Sequence, residues 1–325
     1  MAARSPSRCA GAVLTSITEP TGSDVDAAAE RIAGRVRRTP VLDSEALNRA
    51  LGLELHFKCE NLQIGGAFKL RGASNAVALL PPDTRSVCTH SSGNHGAALA
   101  RAAHAAGLEC IVVVPEGAAA IKRRNIEAAG GRIVDCAPTQ AAREAAAERV
   151  CAETGAELIP PYDDARIIAG QGTAVRELLE DRPGLDAILV PVGGGGLAAG
   201  AVLAAGGRVP VHGVEPAGAD DAARSLAAGR RITEQQPDTL CDGLRATLGA
   251  LNFALLNDRL AGIDTVPDAQ TVIAMRRLWD ELKLVVEPSA AICLAAVQAN
   301  PDRYVSRRVG IVLTGGNVDL DRLPW

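Results

Sequence analysis

Short apolar runs alternate with alanine-rich stretches along almost the whole chain, and this alternation restricts the fold more than any other sequence feature. The apolar runs have the length of β-strands and lie at residues 53–57, 86–90, 110–114, 132–136, 187–192, 211–215 and 309–314. The alanine-rich stretches have the length of helices and lie at residues 95–106, 119–129, 140–154, 168–181, 197–206, 268–283 and 289–299. This order predicts an α/β protein with largely parallel sheets. Ligands of such folds bind beyond the carboxyl ends of strands, so the loops that follow strands deserve the closest reading.

Composition narrows the possible partners and the compartment. The 325 residues suffice for two domains, and 47% of them are hydrophobic and 22% charged, as in globular proteins. A net charge of -4 and 2% aromatic residues exclude the basic and stacking surfaces of nucleic-acid-binding proteins. No apolar run approaches the roughly 18 residues of a membrane span. Eight scattered cysteines without a C-x-x-C pair predict buried thiols in the cytoplasm, and residues 1–24 are expected to form a disordered tail.

The first polar loop after a predicted strand spans residues 89–96 and contains Ser91, Ser92, Asn94 and His95. Small hydroxyls, amides and glycines at the start of a helix allow backbone N–H groups to face an anion, and a carboxylate is a natural guest. Capping of the helix by Ser or Asn is the simpler alternative. Two serines, an asparagine and two histidines exceed what a cap requires, so we favour a binding site.

The second loop places four glycines, at residues 193–196, before Leu197 and a predicted helix. Consecutive glycines at a helix N-terminus let the backbone approach phosphate oxygens closely, and the helix dipole favours their negative charge. A dinucleotide site is the alternative, because Gly193, Gly195 and Ala198 fit G-x-G-x-x-A and Glu215 ends the next strand. That alternative leaves the other polar loops without a role, so a phosphate cradle is preferred. The third loop follows the last strand, and its Thr314 hydroxyl could meet a ring nitrogen.

Only four residues of the chain are lysines: Lys58, Lys69, Lys122 and Lys283. Alternation in its strand predicts an outward-facing Lys58, and Lys122 lies on a basic, solvated helical face. Lys283 is expected in the last turn of a helix, where the dipole favours a cation. Lys69 lies between apolar residues at a turn that opens a helix, and a desolvated lysine can form an imine. An amine and a phosphate cradle together indicate pyridoxal phosphate.

Six motifs in order then identify a family. GAFKLRGA, THSSGNHG, IAGQGT, PVGGGGL, EPAGADD and LTGGNVD resemble the serine/threonine dehydratases and serine racemases, which are fold-type II pyridoxal-phosphate enzymes. The resemblance runs from about Ile32 to Asp319. It implies two open, mostly parallel twisted sheets flanked by helices, similar to the β subunit of tryptophan synthase. It also implies a homodimer, a large cofactor-binding domain of residues 1–85 and 160–325, and a small substrate-gripping domain of residues 86–159.

The resemblance also assigns roles by position. Lys69 would bind the cofactor as a Schiff base and act as general base, while Ser92 matches the acid/base serine that racemases place on the opposite face. The cofactor would be held by Lys69, Phe68, Asn94, Gly193, Gly194, Gly195, Gly196, Leu197 and Thr314. The substrate carboxylate would be held by Ser91, Ser92, Asn94 and His95. A divalent cation (Mg, Ca or Mn) would be held by Glu215, the Ala219 carbonyl and Asp221.

The expected reaction is loss of water from a β-hydroxy-α-amino acid of the threonine or serine type, giving a 2-oxo acid and ammonia. Hydroxyaspartate, phenylserine or a hydroxyectoine-derived amino acid are alternative substrates, and a serine-like racemase is the nearest alternative reaction. A nicotinamide-dependent oxidoreductase and a non-catalytic family member are more distant alternatives. The chain departs from the family where Ala67 replaces the serine before the lysine. It also carries Ala246 where racemases have a serine in the substrate region, and this favours a different substrate side chain.

Overall fold

The strands of the computed structural model, which describes residues 19–91 and 93–325, form two separate sheets. The strands are β1 (Val41–Leu42), β2 (Glu54–Lys58), β3 (Ser86–Thr89), β4 (Glu109–Pro115), β5 (Gly131–Cys136), β6 (Glu157–Leu158), β7 (Ala187–Pro191), β8 (Val211–Pro216), β9 (Gly262–Val266) and β10 (Arg308–Val312). The larger sheet has the order β1-β2-β10-β7-β8-β9, and the smaller sheet has the order β5-β4-β3-β6. In the described part of the chain only β1 pairs antiparallel, with β2. The predicted α/β fold with two mostly parallel sheets is confirmed.

Helices cover the faces of both sheets. They are α1 (Gly22–Ile32), α2 (Glu45–Leu51), α3 (Lys69–Ala78), α4 (Asn94–Ala105), α5 (Ala120–Ala128), α6 (Gln140–Thr154), α7 (Ala165–Asp181), α8 (Gly196–Ala205), α9 (Asp221–Ala228), α10 (Ala250–Asn257), α11 (Asp268–Leu282) and α12 (Pro288–Ala299). Among the described helices, none combines the length and the apolar character that a membrane span needs.

Alternate residues of the central strands pack into different cores. Leu189 of β7 and Ile311 of β10 lie with α11 and α12 in one core, whereas Ile188 and Val312 lie with α7 and α8 in the other. Because both faces of the larger sheet are covered, its strands read as continuous apolar runs rather than as alternating ones. This placement puts the loops that follow β7, β8 and β10 along one edge of the sheet.

All four strands of the smaller sheet lie within residues 86–159, and all six of the larger sheet lie outside this range. Helix α3 precedes residue 86, yet its Leu70 and Ala73 pack in the core of the smaller sheet with Val112. The proposed domain boundaries remain a prediction, and α3 contributes to the core of the smaller sheet together with Ile167 of α7.

Part of the segment expected to form a disordered tail is helical. Helix α1 begins at Gly22, and Thr21 starts it by donating its backbone N–H to Asp24 at 2.7 Å. Val25 and Ile32 are buried, so this helix is packed against the body of the protein. Residues 22–24 are therefore helical, and residues 1–18 lie outside the described part of the chain.

The prediction that Lys58 faces outward is wrong. The residue is fully buried, and its Nζ donates to Glu177 at 2.6 Å and to the Thr39 carbonyl at 2.8 Å. Arg71 of α3 is also fully buried and donates to both oxygens of Glu177 and to Glu60 at 2.8 Å. We call Lys58, Glu60, Arg71 and Glu177 the buried ion network. The alternation of apolar and polar residues in β2 predicted a solvent-facing Lys58, but helix α7 covers that face of the strand.

Candidate active site

The loop that carries Lys69 is fixed against the loop that follows β10. Phe68 donates its backbone N–H to the Thr314 carbonyl at 3.0 Å, and Gly316 donates to the Gly66 carbonyl at 2.9 Å. Gly66 has a positive φ of 76°, which allows the turn before α3. The loop before Lys69 and the Thr314 loop are therefore neighbours, although about 245 residues separate Lys69 from Thr314 in sequence.

Lys69 lies in the first turn of α3 with a half-buried side chain and no carboxylate partner among the described residues. Its Nζ donates to the carbonyl of Pro161 at 2.8 Å and lies 5.2 Å from the centroid of the Phe68 ring. Burial lowers the pKa of Lys69 to about 8, because no anion offsets the lost hydration. A substantial fraction of this amine is thus neutral near pH 8 and able to attack a carbonyl carbon.

Hydrogen bonds to the Gly194 carbonyl hold the glycine loop in place, and the N–H groups at the start of α8 remain available to a ligand. Gly195 has a φ of 91° and precedes the first turn of α8. The carbonyl of Gly194 accepts from Gly249 N at 3.1 Å and from Asn252 Nδ2 at 2.6 Å. A Cβ on Gly194 would lie 2.3 Å from the ring of Tyr162, so the position admits only glycine. The N–H groups of the first turn of α8, including those of the buried Leu197, have no acceptor within the helix and form an anion cradle.

Asn94 and His95 open helix α4, but the ring of His95 does not suit the role predicted for it. The ring is buried, and its Nε2 lies 3.3 Å from the Ile159 carbonyl, so Nε2 carries the proton. Burial and the neighbouring Lys69 lower the pKa of His95 to about 3, so the ring is neutral and Nδ1 is an acceptor without a described partner. A carboxylate needs donors, and the backbone N–H groups of the first turn of α4 can supply them. Ser91 is half-buried beside this turn, and Ser92 lies outside the described residues.

Thr314 is 4% exposed and lies directly after β10. Within the described residues its hydroxyl forms no hydrogen bond, so it is available to a ring nitrogen. The residues expected to meet the cofactor thus surround one space at the sheet edge: the Lys69 amine, the cradle of α8, Asn94 and Thr314. Pyridoxal phosphate fits this set, because its aldehyde, phosphate, phenolic oxygen and ring nitrogen need these four kinds of partner.

A cavity of about 500 Å³ adjoins this space. Pro161 and Tyr162 line it on one side, and Thr247 and Gly249 line it next to the glycine loop. His90 and Arg231 are its basic residues, and its other lining residues are Glu144, Pro160, Asp163, Thr233 and Leu248. Asp163 is occupied as the cap of α10, since its carboxylate accepts backbone N–H groups there at 2.9 and 3.0 Å. The opening is large enough for a small amino acid.

Glu215 and Asp221, predicted to bind a cation, are both fully buried. Glu215 accepts the backbone N–H groups of Ala222 and Ala223 at 3.1 and 2.9 Å, so it caps α9, and this leaves no ribose-binding role for it. Burial, with Asp221 nearby, raises the pKa of Glu215 to about 8. In the described residues no three His, Cys, Asp or Glu side chains converge as a metal cluster. The oxygen-only set of two carboxylates and the buried Ala219 carbonyl suits a hard cation and equally serves as a helix cap.

Sequence reasoning missed Glu287 and gave Asn317 no individual role. Glu287 is buried at the start of α12, and both its oxygens accept from Asn94 Nδ2, at 2.9 and 3.2 Å. Burial raises the pKa of Glu287 to about 8. The sequence does carry a signal for Glu287, because this acid lies between an apolar run and the proline that opens α12. An acid in such a setting is expected to be buried and to have a polar partner. Tyr162, whose ring covers Gly194, was also not assigned a role from the sequence.

The chain matches known proteins over most of its length. Residues 32–315 match the family model described as pyridoxal-phosphate dependent enzyme. A β-hydroxyaspartate dehydratase of Paracoccus denitrificans is 45% identical over 94% of this chain and 99% of that protein. A serine racemase of Arabidopsis thaliana is 47% identical over 90% of this chain and 92% of that protein.

The fold agrees with these matches. The solved structure of maize serine racemase superimposes with a TM-score of 0.91 at 42% identity, covering 93% of this chain and 95% of that one. The chain is therefore a member of the family of pyridoxal-phosphate dependent enzymes.

Proposed function

We propose that this protein is a dehydratase that eliminates water from a β-hydroxy-α-amino acid and releases a 2-oxo acid and ammonia. The observation that carries the proposal is the unpaired, half-buried amine of Lys69, with its pKa lowered to about 8, beside the anion cradle of α8. When bound, pyridoxal phosphate supplies an electron sink for the carbanion at the substrate Cα. The protein's part is to hold the substrate and to move protons.

Lys69 is proposed to remove the proton from Cα, and the β-hydroxyl then leaves with a proton as water. The N–H groups of the first turn of α4 hold the substrate carboxylate, with Ser91 and Asn94 beside them, and the resemblance to the family adds Ser92 to this set. The neutral Thr314 hydroxyl does not stabilise a positive charge on the ring nitrogen as a carboxylate would. It therefore limits the charge that accumulates on the ring and favours rapid loss of the β-substituent. Hydrolysis of the resulting enamine consumes one water and gives the 2-oxo acid and ammonia.

β-Hydroxyaspartate is the first substrate to test. The Paracoccus denitrificans relative is named for it. The cavity lined by Pro161, whose carbonyl accepts from Lys69, also includes Arg231, a cation that suits a second carboxylate. The guanidinium of Arg231 donates to the Leu248 carbonyl at 3.2 Å and forms no salt bridge within the described part of the chain. Serine and threonine are the neutral alternatives.

A serine-like racemase is the second candidate, and the 47% identity to the Arabidopsis thaliana serine racemase favours it. Lys69 and Ser92 would then serve opposite faces of Cα. Ala246 argues against recognition of serine itself, because racemases carry a serine there. We further propose a divalent cation at Glu215, the Ala219 carbonyl and Asp221, a homodimer, and a cytoplasmic location.

The test combines cofactor loading with product analysis. Purified protein is titrated with pyridoxal phosphate while its visible absorption is followed, and is then given β-hydroxyaspartate isomers, L-serine or L-threonine. We expect a new absorption band and release of a 2-oxo acid, fastest from β-hydroxyaspartate. A protein that never binds the cofactor contradicts the proposal. Formation of D-serine without a 2-oxo acid identifies the racemase instead.

A further inference from the structure

The side-chain amide of Asn94 is held at both ends by residues distant in sequence. Its Nδ2 atom lies 2.9 and 3.2 Å from the two carboxyl oxygens of Glu287, and its Oδ1 atom lies 2.9 Å from Nδ2 of Asn317. Glu287 is only 6% exposed. Three polar side chains from α4, α12 and the loop after β10 thus form one continuous row of hydrogen bonds.

The partners at the two ends of this row decide which way the amides face. An amide can be turned over without a change of shape, so its oxygen and nitrogen must be assigned from hydrogen-bond partners. The Asn317 Nδ2 also donates to the backbone carbonyl of Gly65 at 2.9 Å, and only a nitrogen can do so. At the other end the carboxyl group of Glu287 offers an accepting oxygen in either protonation state. Asn94 therefore directs Oδ1 toward Asn317 and Nδ2 toward Glu287, and one N–H of Nδ2 remains for another acceptor.

Two glycines make room for this arrangement. A Cβ on Gly66 would lie 2.5 Å from Oδ1 of Asn317, and a Cβ on Gly315 would lie 2.6 Å from Oε1 of Glu287. Both distances are shorter than real contacts of this kind, so a side chain at either glycine would displace one of the two holding residues. Gly66, three residues before Lys69, and Gly315, directly after Thr314, thus make room for the same row of hydrogen bonds.

We infer that Glu287 and Asn317 are positioning residues that fix Asn94 so that it presents an N–H, and not its carbonyl oxygen, to the phenolic oxygen of pyridoxal phosphate. The inference rests on the proposed function, in which Asn94 contacts that oxygen. A donor stabilises the oxygen as a phenolate, with the proton on the lysine nitrogen. The carbonyl oxygen of a reversed amide would instead require the proton to reside on the phenolic oxygen.

The first test is the isosteric substitution Asn317→Asp. It removes both donors from this position and places an oxygen against the Gly65 carbonyl and Asn94 Oδ1. Turning the Asn94 amide over relieves the second of these two conflicts. The readout is the ratio of the two absorption bands of the lysine-bound cofactor, which differ in whether nitrogen or phenolic oxygen holds the proton. We expect this ratio to shift toward the oxygen-protonated form, and the dissociation constant for pyridoxal phosphate to rise about tenfold.

A second pair of variants separates positioning from structural support. Glu287→Gln keeps an accepting oxygen and should retain the wild-type band ratio, whereas Glu287→Met removes the acceptor and should shift it. The control is Asn61→Asp, which makes the same chemical change at a buried asparagine that donates to the Val285 carbonyl at 3.0 Å. It should leave the band ratio unchanged.

The outcomes distinguish this inference from the proposed function. If the wild-type protein binds the cofactor and Asn317→Asp and Glu287→Met keep its band ratio and affinity, the inference is wrong. An equal shift in Asn61→Asp also overturns it, because the effect would then be general loss of packing. If the wild-type protein shows no cofactor band at all, the proposed function fails before the inference is tested.

Discussion

Two lysines of this protein, Lys58 and Lys69, differ in what surrounds them. Lys58 is fully buried and lies 2.6 Å from the Glu177 carboxylate, which Arg71 also binds at 2.8 Å through two nitrogens. Lys69 is half-buried and contacts a single backbone carbonyl, that of Pro161. Arg71, which binds the same carboxylate as Lys58, lies only two residues after Lys69 on α3. The two environments are therefore close together in the fold.

The difference in partners has opposite consequences for protonation. Burial alone would raise the pKa of Glu177, but Arg71 and Lys58 bind the carboxylate and hold that pKa below its ordinary value. The lysine without an anion has its pKa lowered to about 8. The compensated carboxylate of Glu177 therefore stays ionised over the physiological range and serves structure. The amine of Lys69, which has no anionic partner, has a pKa of about 8 and can lose its proton to take part in chemistry. This difference distinguishes the reactive lysine among the four.

The largest expected effect follows from removing the uncompensated amine. Lys69→Ala should lower kcat/KM by about 10³-fold or more, because both covalent attachment and proton removal are lost. Its free energy of unfolding should change by less than about 1 kcal/mol, since no ion pair is broken. Activity assays and urea denaturation measure the two quantities. Lys283→Ala, at an exposed lysine, is the control and should retain activity, whereas substantial turnover by Lys69→Ala would refute the assigned role.

Removing a compensating charge should have the reverse profile. Glu177→Gln leaves two buried cations without their shared carboxylate, and we expect the free energy of unfolding to fall by about 3–5 kcal/mol. Glu180→Gln lies on the same helix but breaks exposed pairs with Arg38 and Arg176, and should cost less than about 1 kcal/mol. Urea denaturation of the two variants compares them directly. Equal losses would show that burial of the network does not matter.

The pH dependence of cofactor attachment tests the lowered pKa of Lys69. The rate at which cofactor-free protein forms the lysine-bound band should rise with pH and be half-maximal near pH 8, because the neutral amine attacks. An ordinary lysine would give a midpoint near about 10.4. The folded chain releases this proton at lower pH than the unfolded chain, so Lys69 makes stability rise with pH above about 8. Stopped-flow absorbance gives the midpoint, and the difference in stability from Lys69→Met gives the second effect.

The smallest change in stability and activity is expected from breaking an ion pair that is partly exposed to solvent. Lys122 of α5 forms a salt bridge with Asp242, which links the smaller sheet to a 3₁₀ helix at Asp242–Leu244 beside the glycine loop. Both side chains are about one-third exposed, so Lys122→Met should change stability by less than about 1 kcal/mol. Its effect on KM should stay within about threefold and vanish at high salt, where the wild-type pair is screened. An effect as large as that of Glu177→Gln would contradict the distinction between buried and exposed pairs.

Sequence reasoning predicted the candidate site from features that are local in sequence. Glycine-rich loops after apolar strands placed the cradle at residues 193–196 and the loop at Thr314, and an apolar setting distinguished Lys69. The elements missed were short or mixed in polarity, such as β9 (Gly262–Val266), whose residues are mostly half-buried at the sheet edge.

The contacts that sequence reasoning missed are long-range ones. Lys58 meets Glu177 across 119 positions, and Asn94 meets Glu287 across 193 positions. Local pattern describes a residue's own strand or helix, but not which other helix will cover it. The buried state of Lys58 follows from the packing of α7, and the role of Glu287 follows from where α12 begins. Neither could be derived before the two sheets were assembled.

The position of β10 has a consequence for how the protein folds during synthesis. β10 is the last strand of the chain, yet it pairs with β2 and β7 in the middle of the larger sheet. The N-terminal strands of this sheet must therefore wait for the C-terminal one, whereas the smaller sheet is contiguous in sequence and can form first. A ribosome-bound chain that stops before Arg308 should protect the smaller sheet from hydrogen exchange and leave the larger sheet exposed. The lysine that attacks the cofactor would then gain its low-polarity surroundings only after β10 has been synthesised.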